Sequence, residues 1–276
     1  VRGDNVLPIT EALDANDGAW RERIMGDALK WYTFDDQTYG IPFLRQCTFF
    51  FYDTDLFARD LIDPPATWDE FLSACNTLKR PDVFPIALGN SVKWPAHHYV
   101  SCLWQRLMGQ DQLMTDFDPM GPGAYDSPGY VKGLEMFRDL VERDVFNRAP
   151  NGTTRENARA LFYTGQAAMF YTGTWNLNNF RGGGEAPEEF HESWDWFNFP
   201  AVPGGDGNQE ALHGGADGYV ISSKTAHPDE AVTFLQHLNS LESAQEFVDQ
   251  CRELVLVNGS VTEQNADEHL LRYARQ

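Results

Sequence analysis

The residues from Gly165 to Leu177, Gly-Gln-Ala-Ala-Met-Phe-Tyr-Thr-Gly-Thr-Trp-Asn-Leu, constrain the fold more than any other stretch of this chain. Ala167, Ala168, Met169, Phe170 and Tyr171 offer no polar face, so they read as a buried strand of about five residues, the usual length. Gly173 then lets the chain change direction where a larger residue would interfere. Trp175 is delivered at the end of that strand. A tryptophan so placed is either a platform for a ligand or a core residue closing the strand.

Other segments supply the partners of such a strand. The run Cys47 to Tyr52 is apolar on both faces and reads as a central strand, and Asp53 turns the chain into a short helix through Leu56 and Phe57. Tyr39 to Phe43 is extended but carries Gly40 and Pro42, which makes it a crossing and not a long strand. Thr67 and Glu70 form a capping box ahead of a helix through Phe71, Leu72, Ala74, Cys75 and Leu78. Pro85 to Gly89 is another buried strand, followed by a helix from about Pro95 to Met108. Ser127 caps a helix with Pro128 in first position, and Thr153 with Glu156 predicts a further capping box. Near the start, Trp20, Ile24, Ala28 and Trp31 keep helical spacing over residues 10 to 31. Gly214 and Gly215 feed a strand from Tyr219 to Ser222, a second crossing, and Pro228 starts a helix to Leu238. Strands alternating with helices argue for an α/β fold with a largely parallel sheet. The glycine clusters at 182–184 and 203–207 do not sit between a strand and a helix, so they are loops and not phosphate cradles.

A chain of 276 residues suits about two domains, and 42% hydrophobic residues suffice for real cores. Its 41 acidic against 21 basic residues give a net charge of −20, a field that repels nucleic acid and other polyanions. Cys47, Cys75, Cys102 and Cys251 include no Cys-x-x-Cys pair, so zinc ribbons and thioredoxin-type sites have no support; buried free thiols, or one disulfide among them, account for them. No apolar run of about 20 residues would span a membrane, and Val1 opens no signal peptide. Val1 to Pro8 reads as mid-loop and Leu270 to Gln276 as the inside of an amphipathic helix, so the chain looks truncated at both ends.

Five segments in this order, Tyr39 to Phe43, Phe50 to Phe57, Pro64 to Phe71, Gly165 to Leu177 and His213 to Ser240, resemble the extracellular solute-binding proteins of ABC importers, the sugar- and oligosaccharide-binding family typified by maltose-binding protein. The resemblance implies a two-lobed periplasmic-binding-protein fold of type II, with hinge-linked lobes and ligand captured in the cleft between them. It places 1–42 and 216–250 in a first, incomplete lobe, and 43–215 with 251–276 in a second. The implied partners are a small-molecule carbohydrate and the transmembrane subunits of an ABC permease, with the chain a monomer that binds no nucleic acid. The implied location is extracytoplasmic, in the periplasm or on the outer face of the cell membrane, with or without a lipid anchor.

Carried over by position, Trp175 matches the family's ligand-stacking tryptophan. Stacking suits a pyranose, whose C–H face is apolar while its hydroxyls ask for polar groups at the edge. Trp94, in the loop after a strand, is a second cleft aromatic or else helix-start packing. Gly214, Gly215 and Asp217 sit where the second crossing approaches ligand, and Asp217 either accepts from sugar hydroxyls or closes a turn. Arg45, Gln46, His213 and Asn176 complete the set. Neither a cofactor nor a metal is called for: His97 and His98 are adjacent and so point to different faces of a helix. Asp53 with Asp55, and Asp69 with Glu70, lie at helix starts where the dipole favours anions, so structural roles account for these pairs ahead of a glycosidase's two flanking carboxylates. The chain therefore reads as a binder without catalysis. The competing readings are a binder of the same fold for a polyamine or a glycerol phosphate, and a carbohydrate-active enzyme.

Overall fold

The computed structural model describes residues 4–118, 121 and 123–276; the expected mid-loop opening at Val1 to Gly3 lies outside them. The helices in chain order are α1 (Thr10–Arg23), α2 (Thr54–Arg59), α3 (Trp68–Leu78), α4 (Trp94–Leu107), α5 (Gln110–Phe117), α6 (Pro128–Glu142), α7 (Arg155–Tyr163), α8 (Leu177–Phe180), α9 (Pro228–Leu238), α10 (Leu241–Cys251) and α11 (Glu268–Ala274). The strands are β1 (Thr33–Phe34), β2 (Gln37–Thr38), β3 (Gly40–Asp53), β4 (Phe84–Ala87), β5 (Ala167–Gly173), β6 (Trp194–Phe197) and β7 (Gly214–Val220). The chain divides into two compact units, one of residues 1–46 with 214–276 and one of residues 47–213.

The second unit is built on the sheet order β4-β5-β3-β6. Every residue of β3 from Cys47 to Asp53 is buried, which is why this run carries no polar face. β3 runs antiparallel to both β5 and β6, with Phe50 opposite Tyr171 on one side and Phe197 on the other. Only β4 and β5 are parallel among these pairs. The expected largely parallel sheet is therefore a mixed one. Apolar residues on both faces fix that a strand is covered on both sides, not its direction, and helical connections of this length can return a strand either way. At the core, Phe50 is fully buried, stacked on Phe197 with centroids 5.3 Å apart and against Tyr171 at 4.6 Å.

Local helix signals act as their chemistry requires. Asp53 accepts from the Leu56 amide at 2.9 Å, Thr67 and Glu70 make both bonds of the capping box, and Ser127 accepts from the Gly129 amide ahead of Pro128. At α7 the cap is Thr154, not Thr153: the Thr154 hydroxyl accepts from Asn157 N–H at 3.2 Å, leaving Asn157 where a capping box needs Glu or Gln. Thr153 is used elsewhere, donating to the Ala149 carbonyl at 3.1 Å.

In the first unit, α1 is interrupted at Ala15–Gly18, where Asn16, Asp17 and Gly18 adopt positive φ. The helical spacing over 10 to 31 accordingly breaks into α1 and a short 3-10 turn at Ala28–Tyr32. Trp20, Ile24 and Ala28 enter the core while Trp31 stays 56% exposed. The Tyr39 to Phe43 crossing is the start of β3, a single strand of 14 residues. β7 pairs with β3, and its Gly218 is needed for close approach: a Cβ there would collide with the Ile41 carbonyl and the Tyr32 ring.

The expected assignment of 251–276 to the second lobe is corrected by how this tail packs. Val255 bridges to Leu44 and Val257 to Ile24, the Leu256 amide donates to Phe43 O at 2.7 Å, and the Tyr273 hydroxyl donates to Arg45 O at 2.9 Å. The apolar run Leu254–Val257 thus joins the first unit's core, where Leu256 packs with Ile9, Leu13, Trp20 and Ile41.

Candidate functional site

β5 is buried along its whole length and passes directly into a 3-10 turn, Thr174–Asn176. Gly173 does not serve to reverse the chain, since its φ of −95° and ψ of 167° are ordinary extended backbone. It makes room: a Cβ at Gly173 would overlap indole carbons Cζ3, Cε3 and Cη2 of Trp175. The glycine is required because the tryptophan ring folds back over it.

Trp94 reaches the same place from the other side. Asn90 stands in for a missing cap on α4, its Oδ1 accepting from the Ala96 amide at 3.1 Å while its amide donates to Asn151 at 2.6 Å. Lys93 adopts φ 71°, a left-handed conformation that costs a side-chain-bearing residue about 1–2 kcal/mol. Trp94 therefore starts α4 at a fixed angle, 36% exposed. Its ring meets Trp175 edge-on, with centroids 6.0 Å apart at 67°. The Arg155 guanidinium lies 5.2 Å from its centroid, a cation–π arrangement.

Around the two indoles is an open hollow with an empty volume of about 560 Å³, lined also by His98, Arg155, Glu156, Arg159, Tyr171, Thr172 and Asn176. Its flat faces are apolar and its rim is polar. Arg159 is tied in place, donating to Asn176 Oδ1 at 3.0 Å and ion-paired with Glu185 at 2.6 Å. Arg155 is held more loosely, 3.5 Å from Glu156. Internal hydrogen bonds hold the Glu156 carboxyl below the usual carboxylate range, first among them one from its own backbone.

His98 is the centre of contact. Its ring stands edge-on to Trp94 at 5.0 Å and 6.0 Å from Trp175, and its Nδ1 is 3.2 Å from Nε2 of His213. Burial is the main cause that lowers both histidines to about 4; His213 adds to it for His98, and His97 and Arg106 add to it for His213. Both rings are thus neutral at pH 7, so one donates and the other accepts.

Of the expected site residues, Trp175, Trp94 and Asn176 line the hollow, and His213 reaches it through His98. Asn176 is committed, its amide donating to Thr172 Oγ1 at 2.8 Å and its carbonyl accepting from Arg159. Arg45, Gln46, Gly214, Gly215 and Asp217 belong to the first unit. There Arg45 lies 5.6 Å from the Tyr273 ring centroid and Gln46 donates to Glu253 at 2.7 Å. The Trp31 ring covers Gly215, where an added Cβ would touch it at 3.5 Å. The charge of Asp217, after burial, raises the Tyr32 hydroxyl, and, after burial, it also raises the Glu253 carboxyl.

Sequence reasoning missed His98, Arg155, Glu156 and Arg159. The signal was present in the spacing: Trp94 and His98 lie four residues apart, as do Arg155 and Arg159, and such residues share one helix face. Cys47, Cys75 and Cys102 are buried free thiols. Among the described residues, no group of three or more His, Cys, Asp or Glu could hold a metal, and no helix is long and apolar enough to cross a membrane.

The two-unit α/β chain thus carries, within its second unit, an aromatic hollow with polar groups at its rim. Residues 3–245 match the bacterial extracellular solute-binding proteins, and the chain belongs to this family. It is 27% identical over 217 residues, 78% of its length, to an uncharacterized ABC transporter extracellular-binding protein of Pyrococcus horikoshii, of which it covers 46%. To a multiple sugar-binding protein of Streptococcus mutans it is 22% identical over 238 residues, covering 85% of this chain and 55% of that one. The chain thus spans about half the length of the curated relatives it matches. The fold is that of a solved structure from work on xylan utilization by the thermophilic bacterium Caldanaerobius polysaccharolyticus, with a TM-score of 0.87, 22% identity, and 99% of this chain and 68% of that chain covered.

Proposed function

We propose that this chain is part of the substrate-binding component of an ABC importer, capturing a sugar or oligosaccharide and delivering it unchanged to a membrane permease. The observation that carries this reading is the pair Trp94 and Trp175, set at 67° in one hollow with arginine, carboxylate and hydroxyl groups at its rim. One indole face stacks on the apolar C–H face of a pyranose while the rim meets its hydroxyls. Arg155 and Arg159 at the rim would repel a polyamine, the indole faces give a phosphate no hydrogen-bond donor, and no carboxylate pair stands across the hollow, so sugar binding without turnover fits best. The relative named as a multiple sugar-binding protein supports a carbohydrate ligand.

The same proposal assigns Asp217, Gly214 and Gly215 as ligand contacts from the first unit, with Arg45 and Gln46 in lesser roles because each already has a partner. Its partners are the transmembrane subunits of the permease, and the protein works as a monomer outside the cytoplasm, lipid-anchored or free. The test is thermal stabilisation of the full-length protein by mono- and oligosaccharides, polyamines and glycerol phosphates, with chromatographic analysis of each hit. Stabilisation by a saccharide recovered intact supports the reading; stabilisation only by a non-sugar, or a cleaved product, overturns it.

A further inference from the structure

The His98–His213 pair takes no part in stacking and yet touches everything that does. His213 is anchored from behind: its carbonyl accepts from Thr48 N–H at 2.9 Å and from the Thr48 hydroxyl at 3.2 Å. Two residues upstream, the Ala211 carbonyl accepts from the Arg106 guanidinium at 2.9 Å. That guanidinium also donates to Asn208 O at 2.8 Å and Phe199 O at 3.1 Å. Arg106 is fully buried, so it pins the segment that ends in His213 to helix α4, which also carries His98. The 3.2 Å link between the two imidazoles therefore closes a rigid frame, and Trp94 and Trp175 rest on its half-buried member His98.

We propose that His98, held by His213, is a positioning residue that sets the angle between Trp94 and Trp175, and that protonating both imidazoles releases it and disorders the platform. The physical reason is donor count. Two neutral imidazoles share one N–H, and a singly protonated pair still can, but two imidazolium rings present N–H to N–H and repel. The surroundings do not offset that repulsion. From α4 the pair faces His97 and Arg106, from α7 the rim carries Arg155, Arg159 and Glu156, and from β5 comes Tyr171, whose hydroxyl is 2.7 Å from both Thr48 and Cys102. Glu156 is the single carboxylate lining this hollow, against two arginines, Arg155 and Arg159. The charge balance thus favours the neutral pair, in line with the lowered proton affinity of both rings. The consequence is a platform that holds its ligand near neutrality and gives it up in acid.

The consequence for ligand rests on the saccharide reading; the brace itself is tested on the free, full-length protein and stands or falls without any ligand. The readout is the near-UV circular dichroism of the tryptophans between pH 7 and about pH 3, below the value of about 4 to which both rings are lowered, with far-UV dichroism followed in parallel and histidine ring nitrogens observed by 15N NMR. The expected result is a reversible near-UV change with unaltered far-UV signal, coincident with protonation of the pair. His98→Gln should remove that change at all pH values, and Trp175→Phe should diminish it. His213→Gln, which keeps a hydrogen-bonding side chain but leaves no second imidazolium to repel His98, should likewise remove it. If the near-UV change persists undiminished in His98→Gln, or if both histidines titrate around 6.5 with no near-UV change, the proposal is overturned. Should His98→Gln fail to fold, the same comparison with His213→Gln decides: a transition that persists undiminished overturns the brace.

Discussion

Alanine at Gly173 should be destabilising only because of Trp175. The backbone at Gly173, φ −95° and ψ 167°, is open to any residue, so the substitution carries no conformational penalty. By itself, replacing glycine with alanine at a compatible position stabilises by about 0.4–1 kcal/mol through the unfolded chain. The new methyl, however, would occupy the volume of the Trp175 six-membered ring, and carbon contacts settle near ~3.5–4 Å. The ring must swing away from β5 and from its contacts with Trp94 and His98, and overpacking of this kind costs about 1–3 kcal/mol. In a Trp175→Ala background that cost vanishes and the small gain remains. A double-mutant cycle by urea unfolding should therefore give a coupling energy of about 1–3 kcal/mol, the overpacking cost itself, with the sign of the Gly173→Ala effect reversed between backgrounds. Equal destabilisation in both backgrounds would refute the argument that this glycine exists to seat the tryptophan.

Three further outcomes follow from the same structure. Arg106→Met should cost at least about 3 kcal/mol in urea unfolding, because the carbonyls of Phe199, Asn208 and Ala211 lose their donors at about 1 kcal/mol or more each; Arg106→Lys should recover only part of it, since an ammonium lacks the planar fork. Stability should fall as pH drops from about 6.5 toward about 4. Here the unfolded chain takes up protons on His98 and His213 near 6.5 that the folded chain refuses until about 4, so the unfolded state binds more protons throughout that window. Unfolding midpoints of the double variant His98→Gln/His213→Gln should show a shallower slope over the same range. Thr154→Ala should lower stability by about 1 kcal/mol through loss of the α7 cap, with the helix start, and so Arg155 and Arg159, fraying in hydrogen exchange.

How much of this was legible beforehand differs by the range of the interaction involved. Caps at Asp53, Thr67 and Ser127 involve residues two or three apart, and the sequence carries them whole. The cap at α7 slipped by one because Thr153 and Thr154 are equivalent in sequence, and only the fold engages Thr153 with Ala149. Strand direction was not legible, because burial on both faces leaves no mark of parallel or antiparallel pairing. The tail 251–276 misled for a similar reason: Leu254–Val257 is merely apolar until Leu44 and Ile24 are seen to bridge to it. At the site, Trp175 and Trp94 were readable as exposed-edge aromatics near strand ends. His98 was set aside as half of a histidine pair unsuited to metal, when its partner, His213, lies 115 residues away. A contact of that span leaves no local pattern.

The central claim, that the Trp94–Trp175 platform binds saccharide, is tested most directly by titrating xylo-, chito- and malto-oligosaccharides and raffinose into the full-length protein and its Trp175→Ala variant. Tryptophan fluorescence gives the affinity and far-UV dichroism confirms the fold. The account predicts saturable binding of at least one of these sugars by the unaltered protein and a loss of roughly 30- to 100-fold in the variant, about 2–3 kcal/mol for removing a stacked aromatic anchor. Saturable binding that Trp175→Ala leaves unchanged, or no saturable binding of any saccharide by the unaltered protein, would contradict it.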